Sequence, residues 1–192
     1  MFHASFKKDE TFVPEIRGKH VSSYAYSWDG KHFISYGNWL AAPRDKKYFI
    51  GERLIMRQVL GKTLFCTIIS EPMIIDQSIF IAKLKTEEEK NYSLNFVQGI
   101  LASKLLSYFF RHSNNEFDAL FPKIKIGEFR ELPVPKISFK NQEEISNRVV
   151  SLLQMDNSKS EVIKEIISEI DQLVYQLYGL TEEEIKIVEG AT

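Results

Sequence analysis

Arg57 and Gln58 stand side by side at the end of an apolar run, Leu54-Ile-Met-Arg-Gln58. An arginine can pair two hydrogen bonds with a guanine edge, and a glutamine can do the same with an adenine edge. Ahead of them the chain carries Arg17, Lys19, Lys31, Arg44, Lys46 and Lys47, fixed cations of the kind DNA phosphates attract. Tyr24, Tyr26 and Trp28 offer flat apolar faces to a sugar or a base. Each residue also has an ordinary reading: the lysines as plain surface, the aromatics as core, Arg57 as half of a structural ion pair. As a set they have the chemistry of a DNA-reading surface.

Other chemistries lack their parts. Methyl transfer to an exocyclic amine needs a glycine-rich turn for the cofactor and an Asn/Asp-Pro-Pro-aromatic motif for the target nitrogen, and the sequence has neither. Walker-type loops and the Gly-x-Ser-x-Gly elbow are also missing. His3, His20, His32 and His112 are scattered, and Cys66 alone does not complete a zinc set with them at any usual spacing. His20 and His32 would meet across a first hairpin, but two strand histidines without a third ligand read as surface, so no metal site is expected. Asp76 followed by Glu88-Glu89-Lys90 resembles the carboxylates and lysine of metal-dependent nucleases. That chemistry needs the groups on adjacent strands, whereas Thr86–Asn91 reads as a solvated charge run.

Charge is uneven along the chain. The net value is −1, yet residues 1–70 hold 11 Lys/Arg against 6 Asp/Glu, while residues 141–192 hold 4 against 11. An anion-binding face therefore belongs in the first part. A 44% hydrophobic content in 192 residues suffices for one real core. The apolar runs are too short to span a bilayer, and the first residues lack the order of a signal peptide. One cysteine excludes an internal disulfide framework and fits a reducing cytoplasm.

These side chains must be positioned by strands in front and helices behind. Val21–Ser27, the Asp29-Gly30 turn and His32–Tyr36 read as a hairpin with Tyr24 and Tyr26 on one face. Leu54–Val59 and Thr63–Ile69, flanking Leu60-Gly61-Lys62, read as a second hairpin, with Ser78–Leu84 as a further strand. Leu94, Val97, Leu101, Leu105, Tyr108 and Phe109 recur at helical spacing, so Leu94–Arg111 should be one buried helix. Gly99, Ala102 and Ser103 would let it approach the sheet closely. Pro133 and Pro135 end regular structure. Beyond them Asn141 with Glu144, Ser158 with Glu161 and Thr181 with Glu184 are helix-start signals, and Gly179 is a stop. Ile163, Ile166, Ile170, Leu173 and Leu177 form a short seam. The expected fold is α+β: a mainly antiparallel sheet packed on a buried helix over residues 1–136, then a helical region over 137–192.

Several strings resemble one family. Glu169-Ile-Asp-Gln-Leu-Val-Tyr-Gln-Leu-Tyr-Gly-Leu-Thr-Glu-Glu-Glu-Ile185 is similar to the Asp-x-Leu-Val-Tyr-x-Leu-Tyr-Gly-Leu-Thr-x-x-Glu-Ile ending of restriction–modification methylases. Leu101-Ala-Ser-Lys-Leu-Leu106 resembles their Leu-Asn-Ser-Lys-Leu, with Ala102 in place of Asn. Phe121-Pro-Lys-Ile124 and Leu132-Pro-Val-Pro135 resemble their Pro-Lys-Ile and Leu-Pro-Ile-Pro strings. Arg17-Gly-Lys-His-Val-Ser-Ser-Tyr24 resembles their opening Arg-Gly-x-Asp, with His20 in place of Asp. From about Glu15 to Val188 the order is that of the TaqI-like C-terminal specificity domain.

The resemblance implies target recognition on double-stranded DNA within an adenine-specific, type II methyltransferase, with or without a fused nuclease. S-adenosylmethionine would bind a preceding methyltransferase domain, not this chain. A protein-interaction module built on the C-terminal helices is the alternative, and an independent hydrolase, for which the sequence offers no catalytic constellation, a third reading.

Overall fold

The computed structural model describes residues 2–113, 123–156 and 159–190. The chain enters through β1 (His3–Ala4) and β2 (Phe12–Ile16), closes a small hairpin of β3 (Val21–Ser22) and β4 (Ala25–Tyr26), and places β5 (Phe33–Ser35) between the first two strands. The main hairpin follows, β6 (Arg53–Arg57) with β7 (Cys66–Ile69), then β8 (Ile74–Ile75) and β9 (Ile79–Ala82). Among the described residues these make three sheets, ordered β1-β5-β2-β8, β3-β4 and β7-β6-β9. All pairings are antiparallel except β2 with β8.

β6 sits between two cores. Side chains alternate across a strand, so Leu54 and Met56 point into one apolar cluster and Ile55 into the other. The first cluster joins this sheet to the helices; the second joins it to β2, β5 and β8. Burial on both faces is why Leu54-Ile-Met56 reads as a continuous apolar run rather than an alternating one.

The second hairpin and the Ser78–Leu84 strand form as expected, with Leu54 opposite both Ile68 and Ala82. The first hairpin does not. Val21-Ser22 pairs with Ala25-Tyr26 through a tight turn in which Tyr24 takes a φ of 61°, and β5 pairs with β1 and β2 instead. Tyr24 and Tyr26 therefore do not share a strand face. β2 itself carries no clear sequence signal because Pro14 interrupts it. Pro14 stands where β2 changes partner, from β5 to β8.

The expected single helix is two: α1 (Leu94–Ala102) and α2 (Lys104–Ser113). Ser103 breaks it with an extended backbone. Its hydroxyl donates to the Ile100 carbonyl at 2.7 Å and accepts from the Leu106 N–H at 3.2 Å, so one side chain serves both helix ends. The break shifts the helical phase. Leu106 and Phe110 turn inward, and Phe109 is left exposed. Gly99 abuts a helix rather than the sheet: a Cβ there would lie 2.4 Å from Ile145 Cγ2.

A short α3 (Ile126–Arg130) packs Phe129 on Phe80, and the proline-bearing segment leads to α4 (Phe139–Leu153), α5 (Ser160–Tyr178) and α6 (Glu182–Gly190). Ser138, not Asn141, caps α4, accepting the Asn141 N–H at 3.3 Å. The expected cap at Ser158 and the string Phe121-Pro122 lie outside the described residues. Thr181 and Glu184 exchange hydrogen bonds at the start of α6, and Gly179 ends α5 in the left-handed conformation. Ile145, Val149, Ile170 and Val174 join α4 and α5 to the same core as Leu54, Met56 and Phe96. Among the described residues no helix is long and apolar enough to cross a membrane.

Candidate nucleic-acid interface

The strand ends bring most of the candidate cations onto one connected surface. Arg57 closes β6 with its guanidinium over the Phe65 ring, 5.6 Å from the centroid. Gln58 follows, and its side-chain amide donates to the Gln77 carbonyl at 2.7 Å. Next to them runs the 3-10 turn Gly18–His20. The Gly18 N–H donates to Ser78 Oγ at 3.0 Å, and a Cβ at Gly18 would crowd that oxygen at 2.9 Å and touch Arg57 at 3.6 Å. This close approach places Lys19 beside the end of β6.

Two extensions leave this centre. On one side Lys19 reaches Asp29 at 3.4 Å, and the Asp29 carboxylate accepts the Lys31 N–H at 2.9 Å. On the other, Gln77 and Asp76 line a cleft of about 410 Å³ together with Arg17 and Arg44. Tyr36 belongs to that cleft and to an adjoining one that holds Lys46. Arg44, Lys46 and Lys31 are exposed. Arg17 is partly committed, since its Nε donates at 2.7 Å to Glu15, a carboxylate only 2% exposed. Lys47 is committed further, with Asp45 at 3.2 Å and the Tyr48 ring centroid at 5.3 Å.

Three aromatic candidates are placed differently. Tyr24 is buried in the core, and its burial drives the phenol far above its ordinary pKa. Tyr26 is half-buried; burial, then a hydrogen bond to Glu71, raises its phenol. Both line a separate cleft whose charged members are Glu52 and Glu71. That cleft holds none of the candidate cations. Trp28 packs edge-on against Phe33 and donates to the His32 carbonyl at 3.3 Å.

His20 and His32 do meet, and a third group joins them. Their rings are 4.8 Å apart, and Asp29 stands 2.8 Å from His32 Nδ1 and 3.7 Å from His20 Nε2. The spacing is close enough for a shared cation, but the hydrogen bonding favours a proton. His20 Nδ1 accepts the Arg17 N–H at 3.0 Å, which leaves the proton of a neutral ring on Nε2, facing Asp29. Burial holds the His20 pKa below its usual value. His32 and the Lys31 N–H hold Asp29 well below the usual carboxylate range. The cluster fixes the loop that carries Lys31. The nuclease-like pattern stays dispersed: Asp76 accepts from the Ser78 N–H, and Glu88–Lys90 lie in a run of turns.

Sequence reasoning missed Gln77 and Ser78, which set the positions of Gln58 and Gly18 and which no local pattern singles out. It also missed Arg53. This arginine is fully buried in β6, and its guanidinium donates to the carbonyls of Gly51 and Glu71 at 2.8 and 2.6 Å. It thereby holds the turns on either side of the main hairpin.

The class is an α+β module, three small sheets with a helical layer, and a basic band along its strand ends. The sequence model of the TaqI-like C-terminal specificity domain matches residues 13–134, so the chain belongs to that family. The fold is also similar to part of a chain in the structure of the Type IIL restriction-modification enzyme MmeI in complex with DNA, at 9% identity and a TM-score of 0.63. The match covers 91% of this chain and 29% of that one, so the present chain spans about three-tenths of the enzyme's length. No curated protein matches the chain.

Proposed function

We propose that this chain recognises a DNA sequence as the specificity domain of a restriction–modification protein. The observation that carries the reading is the continuity of the band. Lys31, Lys19, Arg17, Arg44 and Lys46 flank Arg57 and Gln58, so phosphate-binding cations lie on both sides of two base-reading side chains. Family membership and a fold shared with part of an enzyme solved on DNA support it.

In this reading the domain holds duplex DNA, and a catalytic domain elsewhere in the parent protein carries S-adenosylmethionine and methylates an adenine. Such chemistry takes the target base out of the helix, so the specificity domain supplies grip and register while the base is displaced. The interaction-module alternative gains nothing from the helices. Ile163, Ile166, Leu173 and Leu177, the seam a partner would use, pack against the chain's own core.

The test is selection from a randomised duplex library by the chain. Enrichment of a short defined motif is expected, lost when Arg57 and Gln58 are replaced together. Recovery of unenriched sequence, or no binding even at low salt, would overturn the reading.

A further inference from the structure

Trp39 is held in place and yet exposed. Its Nε1–H donates to the Ser35 carbonyl at 3.1 Å. Its ring lies on Gly37, where a Cβ would stand 2.4 to 2.6 Å from three ring carbons, so only glycine admits the indole there. Despite both contacts the residue is 52% exposed. An indole fixed before any partner arrives loses little conformational freedom on binding, which is what makes an aromatic contact efficient.

Its surroundings are apolar and cationic together. Trp39 edges a cleft of about 380 Å³ shared with Tyr36, Phe49, Ile50 and Lys46. Ile50, in the same cleft, is also exposed. The turn behind it carries Arg44, Lys46 and Lys47 against one acid, Asp45, which is paired with Lys47. Glu10, on the cleft's rim, is paired with Lys7 at 2.8 Å. Lys83 fastens the turn through the Lys47 and Ile50 carbonyls. An apolar protein surface would leave Arg44 and Lys46 without counter-charges. A sugar–phosphate backbone offers both an apolar ring and an anion at each step.

We infer that Trp39 and the Arg44–Lys47 turn form a second DNA contact, outside the base-reading centre, in which the indole packs on a deoxyribose while Lys46 and Arg44 meet the flanking phosphates. The inference rests on the DNA-recognition reading and adds to it an anchor indifferent to sequence. The shared Tyr36 makes this anchor continuous with the cleft of Arg17 and Arg44.

The experiment uses the whole chain and a short labelled duplex of mixed sequence at low salt, with affinity from anisotropy. Trp39→Ala should weaken binding about two- to tenfold, equally for all sequences and without changing the salt dependence. Trp39→Phe, which keeps an aromatic ring, should lose less. Duplex should shield part of the parent's tryptophan emission from acrylamide, and the shielded part should be missing in Trp39→Phe. Because that shielding is read on folded parent protein, a poorly folded alanine variant does not blunt the test. If duplex binds but shields nothing and Trp39→Phe binds as the parent does, the anchor is overturned while DNA recognition stands. If no duplex binds, both fall. If an apolar protein partner, and not DNA, shields Trp39, the face belongs to that partner and the inference fails.

Discussion

The Gln58 side chain donates to the main-chain carbonyl of Gln77 at 2.7 Å, tying the end of β6 to the turn that enters β9. Arg57, its neighbour, is steadied from below by the Phe65 ring. One of two adjacent base-reading candidates is thus anchored by a hydrogen bond and the other by an aromatic face. The two anchors give different expectations on substitution.

Arg57→Ala should cost about 0.5–1 kcal/mol of stability, the scale of an exposed cation–π contact. It should also relax preference at one base pair by about 1–3 kcal/mol. Gln58→Ala should broaden selectivity at a neighbouring pair and loosen the Gln77 turn. Melting temperature and site selectivity, measured together in the unmodified chain and its variants, separate the effects. A stability loss with unchanged selectivity would make Arg57 a purely structural residue.

The turn at Arg44–Lys47 separates two lysines that look alike in the sequence. Lys46 is exposed in a cleft, whereas Lys47 is shared between Asp45 and the Tyr48 ring. Lys46→Ala should lower the slope of log affinity against log salt by about one, and Lys31→Ala should do the same. Lys47→Ala should change it less. Equal slopes in the parent and Lys46→Ala would remove the turn from the interface.

Much of this was legible and some was not, for physical reasons. The main hairpin declared itself because β6 is apolar on both faces, and the last helices because Gly179, Thr181 and Glu184 act locally. Periodicity alone carried one helix through Ser103, since a capping serine inside an apolar stripe looks like a small packing residue. The fold of the break depends on a partner far away, Asp171, which accepts the Lys104 N–H. The candidate cations were legible as a set because their chemistry is in the residue types. Their order on the surface was not, because it depends on β5 crossing to β2 and on Gly18 meeting Ser78. Tyr24 misled for the same reason: its positive φ turns it into the core.

Gly99 lets α1 and α4 touch. Gly99→Ala would set a methyl 2.4 Å from Ile145 Cγ2 and 3.2 Å from Val149 Cγ2, in a core with no room to yield cheaply. The expected loss is about 1–3 kcal/mol despite the better helix propensity of alanine. Ile145→Ala removes the clashing methyl, so the double variant should be more stable than the sum of the single losses. Denaturant titration of the four proteins reads this directly, and strict additivity would show that the helices separate without strain.

Asp171 makes the stability of the helical layer depend on pH. Its carboxylate is buried against the start of α2, accepting the Lys104 N–H at 2.9 Å, while the Lys104 ammonium pairs with Glu189 and Tyr175 donates to Glu189 at 2.8 Å. Burial pushes the Asp171 carboxyl up from 3.8 to about 6, against the pull of the Lys104 N–H and charge and with a push from Glu189. The folded chain therefore holds this proton more tightly than the unfolded chain. Stability from this group is fully present below about pH 4 and is lost as pH rises through about 6, a swing of about 3 kcal/mol. Asp171→Asn keeps an oxygen for the Lys104 N–H but has nothing to titrate. The variant's stability relative to the parent should therefore fall as pH is lowered from about 7 to about 4, read from denaturation midpoints with His20 and every other group common to both proteins. Parallel pH profiles would mean that the folded and unfolded chains hold this proton equally, the pull of the Lys104 N–H offsetting burial in full.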